Sequence, residues 1–282
     1  MIVSINSQLL ELANQVKALR HPQDHLAIIA SHFKMLRYPY LYLVLIGVAE
    51  LVTAYYMYWG GVVHFAVLVA LFLHSVFIPN KYLSDMLTAI ACAPLIRILS
   101  LSTPLEFFSQ ISWFAVISIP IFITAFTIAY VQGLSAKQIF LSRPKIRYWP
   151  LETIIIIIAF GIGILEYQLL KPSPLAEFNT IAMIAPALIL IINTGFLEEL
   201  VFRGLMQHNA QRLAGFHGII FVSALFGTLH ITNLVFWDII VAGSAGFLFA
   251  LVVRKTGNIW GMSMAHGVAN ISLFLIAPHW FG

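Results

Sequence analysis

Three polar sets stand out in an otherwise apolar chain. The stretch "TGFLEELVFRG", residues 194–204, puts Glu198 beside Glu199, with Arg203 four residues after the second carboxylate. "FGTLH" sets Phe226 four residues before His230, and "HGVAN" sets His266 four residues before Asn270. Residues four apart share a helix face, and neighbours are turned by about 100°. Arg203 can therefore neutralise Glu199 while Glu198 points elsewhere without a partner. A carboxylate withdrawn from water and left unpaired is a good proton acceptor near neutral pH. An imidazole and a carboxamide on one face, His266 and Asn270, can aim two donors at one point, as an oxyanion requires. The chemistry on offer is general-base activation of a nucleophile with stabilisation of the charge that follows.

Membrane helices must position these groups. The 282 residues are 61% hydrophobic and 9% charged, whereas a soluble domain is nearer a quarter charged. Mean hydropathy is +0.93. The expected fold class is all-α, a polytopic transmembrane helix bundle with its catalytic cavity among the C-terminal helices. The net charge of +4 is small for the length and points to no nucleic-acid partner. The lone Cys92 falls within an apolar run and cannot form an intrachain disulfide.

Apolar runs fall at 40–59, 61–79, 83–101, 111–131, 151–170, 180–206, 216–235, 236–253 and 258–277. That makes nine spans of roughly 20 residues, with eight as the alternative. The third run carries Asp85, Pro94 and Arg97, and the seventh and eighth nearly touch. Charge favours nine. With the N-terminus in the cytoplasm, the cytoplasmic segments hold Lys17, Arg20, Lys34, Arg37, Lys81, Lys137, Arg143, Lys145, Arg147, Arg212, Arg254 and Lys255, while the far side holds Lys171 alone. Deleting one span would scramble this positive-inside pattern downstream. The expected location is an integral, bacterial inner-membrane one, with the lipid bilayer as surroundings.

Domain organisation follows from the same runs. Residues 1–38 read as a cytoplasmic segment with Leu9, Leu12, Val16 and Leu19 at helical spacing, an amphipathic helix lying on the membrane or on the protein's own loops. No secretory leader is expected, because the first long apolar run starts near Tyr40. Residues 39–149 hold the front helices and the basic loop "SAKQIFLSRPKIRYWP", and 150–282 hold the core that carries all three polar sets. Gly243, Gly246 and Ala250 read as a helix-packing face. Pro94, Pro120 and Pro186 should kink or end their spans. Glu50, Glu166 and Arg97 also fall within spans, either pairing with one another or lining a water-filled cavity. His64 and His74 read as satisfied core residues.

Depth along the helices offers a further check. Counting 1.5 Å per residue from the cytoplasmic end of each apolar run, Glu198 and His266 lie about 12 Å in and His230 about 21 Å in. The three sets can meet at one level, in a cavity expected to open toward the cytoplasm or sideways to lipid.

"EELVFR", "FGTLH" and "HGVAN" match in order and spacing the EExxxR, FxxxH and HxxxN motifs of a known family. Residues 180–277 thus resemble the CAAX-processing and bacteriocin-processing (CPBP or Abi) intramembrane proteases, the type II CAAX prenyl endopeptidase relatives. The resemblance implies peptide-bond hydrolysis in or beside the membrane, with a membrane-associated protein or peptide as substrate. It implies that Glu198 activates water, that His230 helps hold it, and that His266 and Asn270 stabilise the oxyanion. Glu199 and Arg203 would support the helix presenting Glu198, and Phe226 would pack behind the site.

Two histidines and a glutamate could also ligate Zn²⁺ through Glu198, His230 and His266. No HExxH pair is present, and Asn270 suits an oxyanion better than zinc, so a metal-free reaction without cofactor is the preferred expectation. Other readings are a buried ion-pair cluster that only orients helices, a non-proteolytic scaffold or immunity-type protein, and a proton-coupled transporter. The inverted repeats and broken helix pairs common in transporters are not evident here.

Overall fold

The computed structural model describes residues 22–105 and 107–282. Among these, nine helices are long and apolar enough to cross a bilayer. They are α1 (Pro22–Tyr55), α2 (Met57–Phe77), α3 (Lys81–Ser102), α4 (Gln110–Val131) and α5 (Trp149–Leu170). α6 (Thr180–Ala214), α7 (Phe216–Asn233), α8 (Phe236–Thr256) and α9 (Trp260–Phe281) follow. Helices close every backbone hydrogen bond within themselves, which hydrocarbon demands. Among the described residues, the bridging pair Leu141 and Asn258 is the one isolated β contact. The chain is an all-α, polytopic membrane protein.

The third apolar run does form a span, with a break at Ala91 three residues before Pro94. Pro120 and Pro186 stand inside helices. The seventh and eighth runs stay separate because Leu234 adopts a left-handed φ of 55° between them. The amphipathic pattern from Leu9 to Leu19 lies outside the described residues, and α1 passes from Pro22 into the first span without interruption.

Contacts between loops and helix ends define two ends of the bundle. At one, Asp85 on α3 pairs with Lys81 at 3.0 Å and lies 3.6 Å from Arg212 on α6. Gln132, after α4, donates to Asp85 O and accepts from Asn209 of α6, both at 2.8 Å. The loop after α4 also accepts, through Phe140 O, from Ile259 N at the start of α9. At the other end Trp113 donates to Thr103 O, and Leu175 N donates to Phe274 O. The basic loop 137–147 and Arg254–Lys255 belong to the first end, and Lys171 to the second. The alternation read from charge is thus the alternation of the helices.

Glycine sets the crossing of α6 and α9. A Cβ on Gly195 of α6 would stand 2.6 Å from Ser263 O and 2.7 Å from Gly267 N of α9, and one on Gly267 would stand 2.8 Å from Ile191. The two backbones touch there, as small residues allow in lipid. That contact brings the acidic pair, just past Gly195, against His266. The sequence reading had placed the small-residue face on α8 alone.

The front helices reach the same region. Arg97 on α3 binds Glu50 on α1 through Nε at 3.0 Å and Nη2 at 2.7 Å. Its Nη2 also donates to Leu229 O at 2.9 Å, and Thr232 donates to Glu50 Oε2. The buried Glu50 and the partly exposed Arg97 are therefore paired, and the pair grips the last turn of α7, which carries His230. His74 meets Tyr42 OH at 3.1 Å. His64 differs from expectation: it is buried 3.6 Å from Glu50, and neither ring nitrogen has a hydrogen-bond partner.

Candidate active site

α6 is not a regular helix where the carboxylates stand. Wide π-type turns cover Leu190–Phe196 and Leu200–Gln207, on either side of the short α-helical stretch Leu197–Glu199. Such turns cluster at functional sites because they re-aim side chains without ending the helix. Glu199 and Arg203 still meet, Arg203 Nη1 donating to Glu199 Oε1 at 2.8 Å. Glu198 is turned away from them. Its side chain is 35% exposed, against 0% for Glu199. It accepts no hydrogen bond from a described residue.

Glu199 does more than hold its own helix. Its Oε1 also accepts from His266 Nδ1 at 3.0 Å, across to α9. A carboxylate offers only acceptors, so the proton of that bond is on Nδ1. His266 Nε2 then faces the other way, 3.6 Å from Glu198 Oε2. His230 is held likewise: Nδ1 lies 3.0 Å from Asp238 Oδ2 at the start of α8, and Asn233 Nδ2 donates to the same oxygen at 2.8 Å. Each imidazole thus has Nδ1 tied to a buried carboxylate, and both rings line the cavity. Asn270 Nδ2 donates to Thr194 Oγ1 at 2.8 Å, and the Thr194 hydroxyl donates to Leu190 O. One amide proton of Asn270 is used this way and the second is left over.

Phe226 packs between these groups. Its ring centre lies 5.7 Å from that of His230 and 5.8 Å from that of His266. The Arg203 guanidinium lies 4.8 Å from the same ring and donates to Gly246 O at 3.2 Å. Arg203 is 1% exposed and out of reach of any substrate.

Two adjoining cavities, of about 240 and 210 Å³, share Phe114, Thr194, Glu198, Phe226, His230 and Asn233 as lining. The first adds Glu50, Arg97 and Asn193; the second adds Glu166, His266 and Asn270. All of the sequence-predicted residues except Glu199 and Arg203 line this space, and those two stand directly behind it.

Two expectations need correction. α6 runs on to Ala214, well past residue 206, so Glu198 lies about 24 Å along the helix from its basic end, at 1.5 Å per residue. The groups still converge, because α6 meets α9 at Gly195 and Gly267. The cavities also do not extend toward the basic end. Ser100, Trp113, Leu170, Asn233 and Phe274 line them, near the opposite ends of their helices. Buried Phe202, Phe226 and Phe249 close off the basic side.

Asp238, Thr194 and Asn233 were missed from sequence. An acidic residue at a helix start reads as an ordinary N-terminal charge, and only the fold shows Asp238 turned inward onto His230.

Among the described residues no three His, Cys, Asp or Glu side chains are grouped so as to hold a metal ion.

Fold and cavity together define a polytopic helical membrane protein with two adjoining cavities among its spans, lined in part by polar side chains. Residues 179–272, a third of the chain, match the model of the family described as type II CAAX prenyl endopeptidase Rce1-like. The match points to a membrane-embedded protease, a hydrolase. Searches of curated proteins and of solved structures gave no match.

Proposed function

We propose that the chain is a metal-free intramembrane endopeptidase in which Glu198 is the general base. The observation that carries this reading is the pair of imidazoles, each anchored at Nδ1 by a buried carboxylate, both lining the cavity that Glu198 lines. A water between Glu198 and His230 would give one proton to the carboxylate and a hydrogen bond to His230 Nε2. Its oxygen attacks the scissile carbonyl. The spare amide proton of Asn270, with His266 Nε2–H when that ring is doubly protonated, stabilises the tetrahedral oxyanion. Glu198 then passes its proton to the leaving amine, and the base is regenerated.

The substrate in this reading is a membrane-associated protein or peptide, and its identity is set by the cavity rather than by the motifs. The basic end faces the cytoplasm, by the positive-inside rule, in a bacterial inner membrane. Both cavities then lie in the extracytoplasmic half of the bundle. A silent scaffold would have no need of two oriented imidazoles beside an unpaired carboxylate.

The test is capture. Full-length Glu198→Gln protein, purified from cells, should co-purify with intact peptides that the wild-type protein cuts in nanodiscs, with or without a chelator. Cleavage abolished by chelation and restored by zinc would replace the general-base mechanism. No peptide cut by wild type would sink the protease reading. Within the site, Asp238→Asn should lower kcat by at least about 10²-fold with little change in KM, because His230 loses the acceptor that fixes its tautomer. Unchanged kcat at wild-type thermal stability would remove His230 from the mechanism.

A further inference from the structure

Glu166 has no role in the chemistry above, yet it faces the same space. It lies on α5, is 8% exposed, and lines the second cavity with Glu198, His230, His266 and Asn270. It makes no hydrogen bond or ion pair with a described residue. Glu198 aside, the carboxylates nearest the site are paired: Glu50 has Arg97, Glu199 has Arg203 and His266, and Asp238 has His230 and Asn233. No lysine or arginine lines this cavity. A carboxylate withdrawn from water without a partner is costly unless it is protonated or something else supplies the cation.

We propose that Glu166 is a specificity-determining residue that binds the side chain of a substrate lysine or arginine close to the scissile bond. The inference rests on the protease reading of the same site. The rest of the lining is apolar or small: Phe114, Ile162, Ala245, Leu273 and Phe274 would follow the methylene stem of such a side chain while the carboxylate meets its head.

Helix geometry sets the range. Gly163, one turn before Glu166, packs on Ala269 and Ser272 of α9. Glu166 therefore lies roughly 10 Å beyond His266, toward the end away from the basic loops. An extended peptide advances about 3.4 Å per residue. The basic residue thus falls within three positions of the bond that Glu198 attacks.

The experiment uses full-length protein in nanodiscs and fluorescent ten-residue apolar peptides. Each carries one lysine, norleucine or glutamate at successive positions. Binding is read on the Glu198→Gln protein, where no cleavage intervenes, and kcat/KM on the wild type. Lysine at one position should bind and be cut at least about 10-fold better than norleucine. Glu166→Gln should erase that preference while leaving kcat for the norleucine peptide within about threefold. Glu166→Lys should shift the preference to glutamate. Equal binding of lysine and norleucine peptides at every position overturns the proposal. So does a Glu166→Gln effect that lowers kcat for all peptides alike and alters the pH profile, since that marks a proton-transfer group. Lysine-selective binding without any cleavage by wild type would leave the subsite standing and defeat the protease reading instead.

Discussion

Glu198→Gln should lower kcat for peptide cleavage by about 10³-fold and leave the protein as stable as the wild type. The magnitude is that of a general base removed from a positioned water, commonly 10²–10⁴-fold. Stability should hold because Glu198 is partly exposed to the cavity and accepts no hydrogen bond from the described residues. Replacing it by an isosteric amide strands no buried donor. KM should move little, since the carboxylate acts on water rather than on the peptide. Single-turnover kinetics with thermal melting of the same preparation gives both readings. A variant that keeps a tenth of the wild-type kcat would assign the base to another group, with Glu166 the next carboxylate in the cavity.

The second large effect is on stability. Arg203 and Glu199 are 1% and 0% exposed and joined at 2.8 Å. Arg203→Leu leaves the Glu199 charge buried without its cation, which costs about 3–5 kcal/mol in such pairs. It also removes the guanidinium from its place against Phe226 and from Gly246 O. The double variant Glu199→Leu/Arg203→Leu removes both charges and should recover much of that loss, because two apolar side chains need no solvation. Catalysis should not recover with it, since His266 loses the oxygen that holds Nδ1. Stability regained with kcat still low separates the two roles of Glu199. A double variant no more stable than Arg203→Leu would mean that the pair is not what holds α6 in place.

Much of the architecture could be read before any coordinates. Hydrocarbon admits only long apolar helices, so composition alone forces the class. Basic residues gather at one end, so the alternation of spans is legible from their positions. The two doubtful spans, with Asp85 in one and "ITNLVFWD" beside the other, are also placed by that charge. The four-residue spacing within "EELVFR" is enough to pair Glu199 with Arg203 and to turn Glu198 away, because both facts are local to a single helix.

Contacts between helices are another matter. Asp238 on His230, Thr194 on Asn270, and the sharing of one Glu199 oxygen by Arg203 and His266 join residues on different turns or spans. A helical period says which way a side chain points, not what it meets. The depth estimate for Glu198 erred for a related reason. Apolar runs end where polarity begins, but α6 continues through polar Gln207, His208 and Asn209 into protein contacts. So the amino-acid order determined a helical membrane bundle, the alternation of its spans and the three polar sets. Tertiary structure alone decided which carboxylates are paired, which way the cavities run, and that Glu166 was left facing the site, because pairing in a low-dielectric interior depends on distances between helices that no single helix encodes.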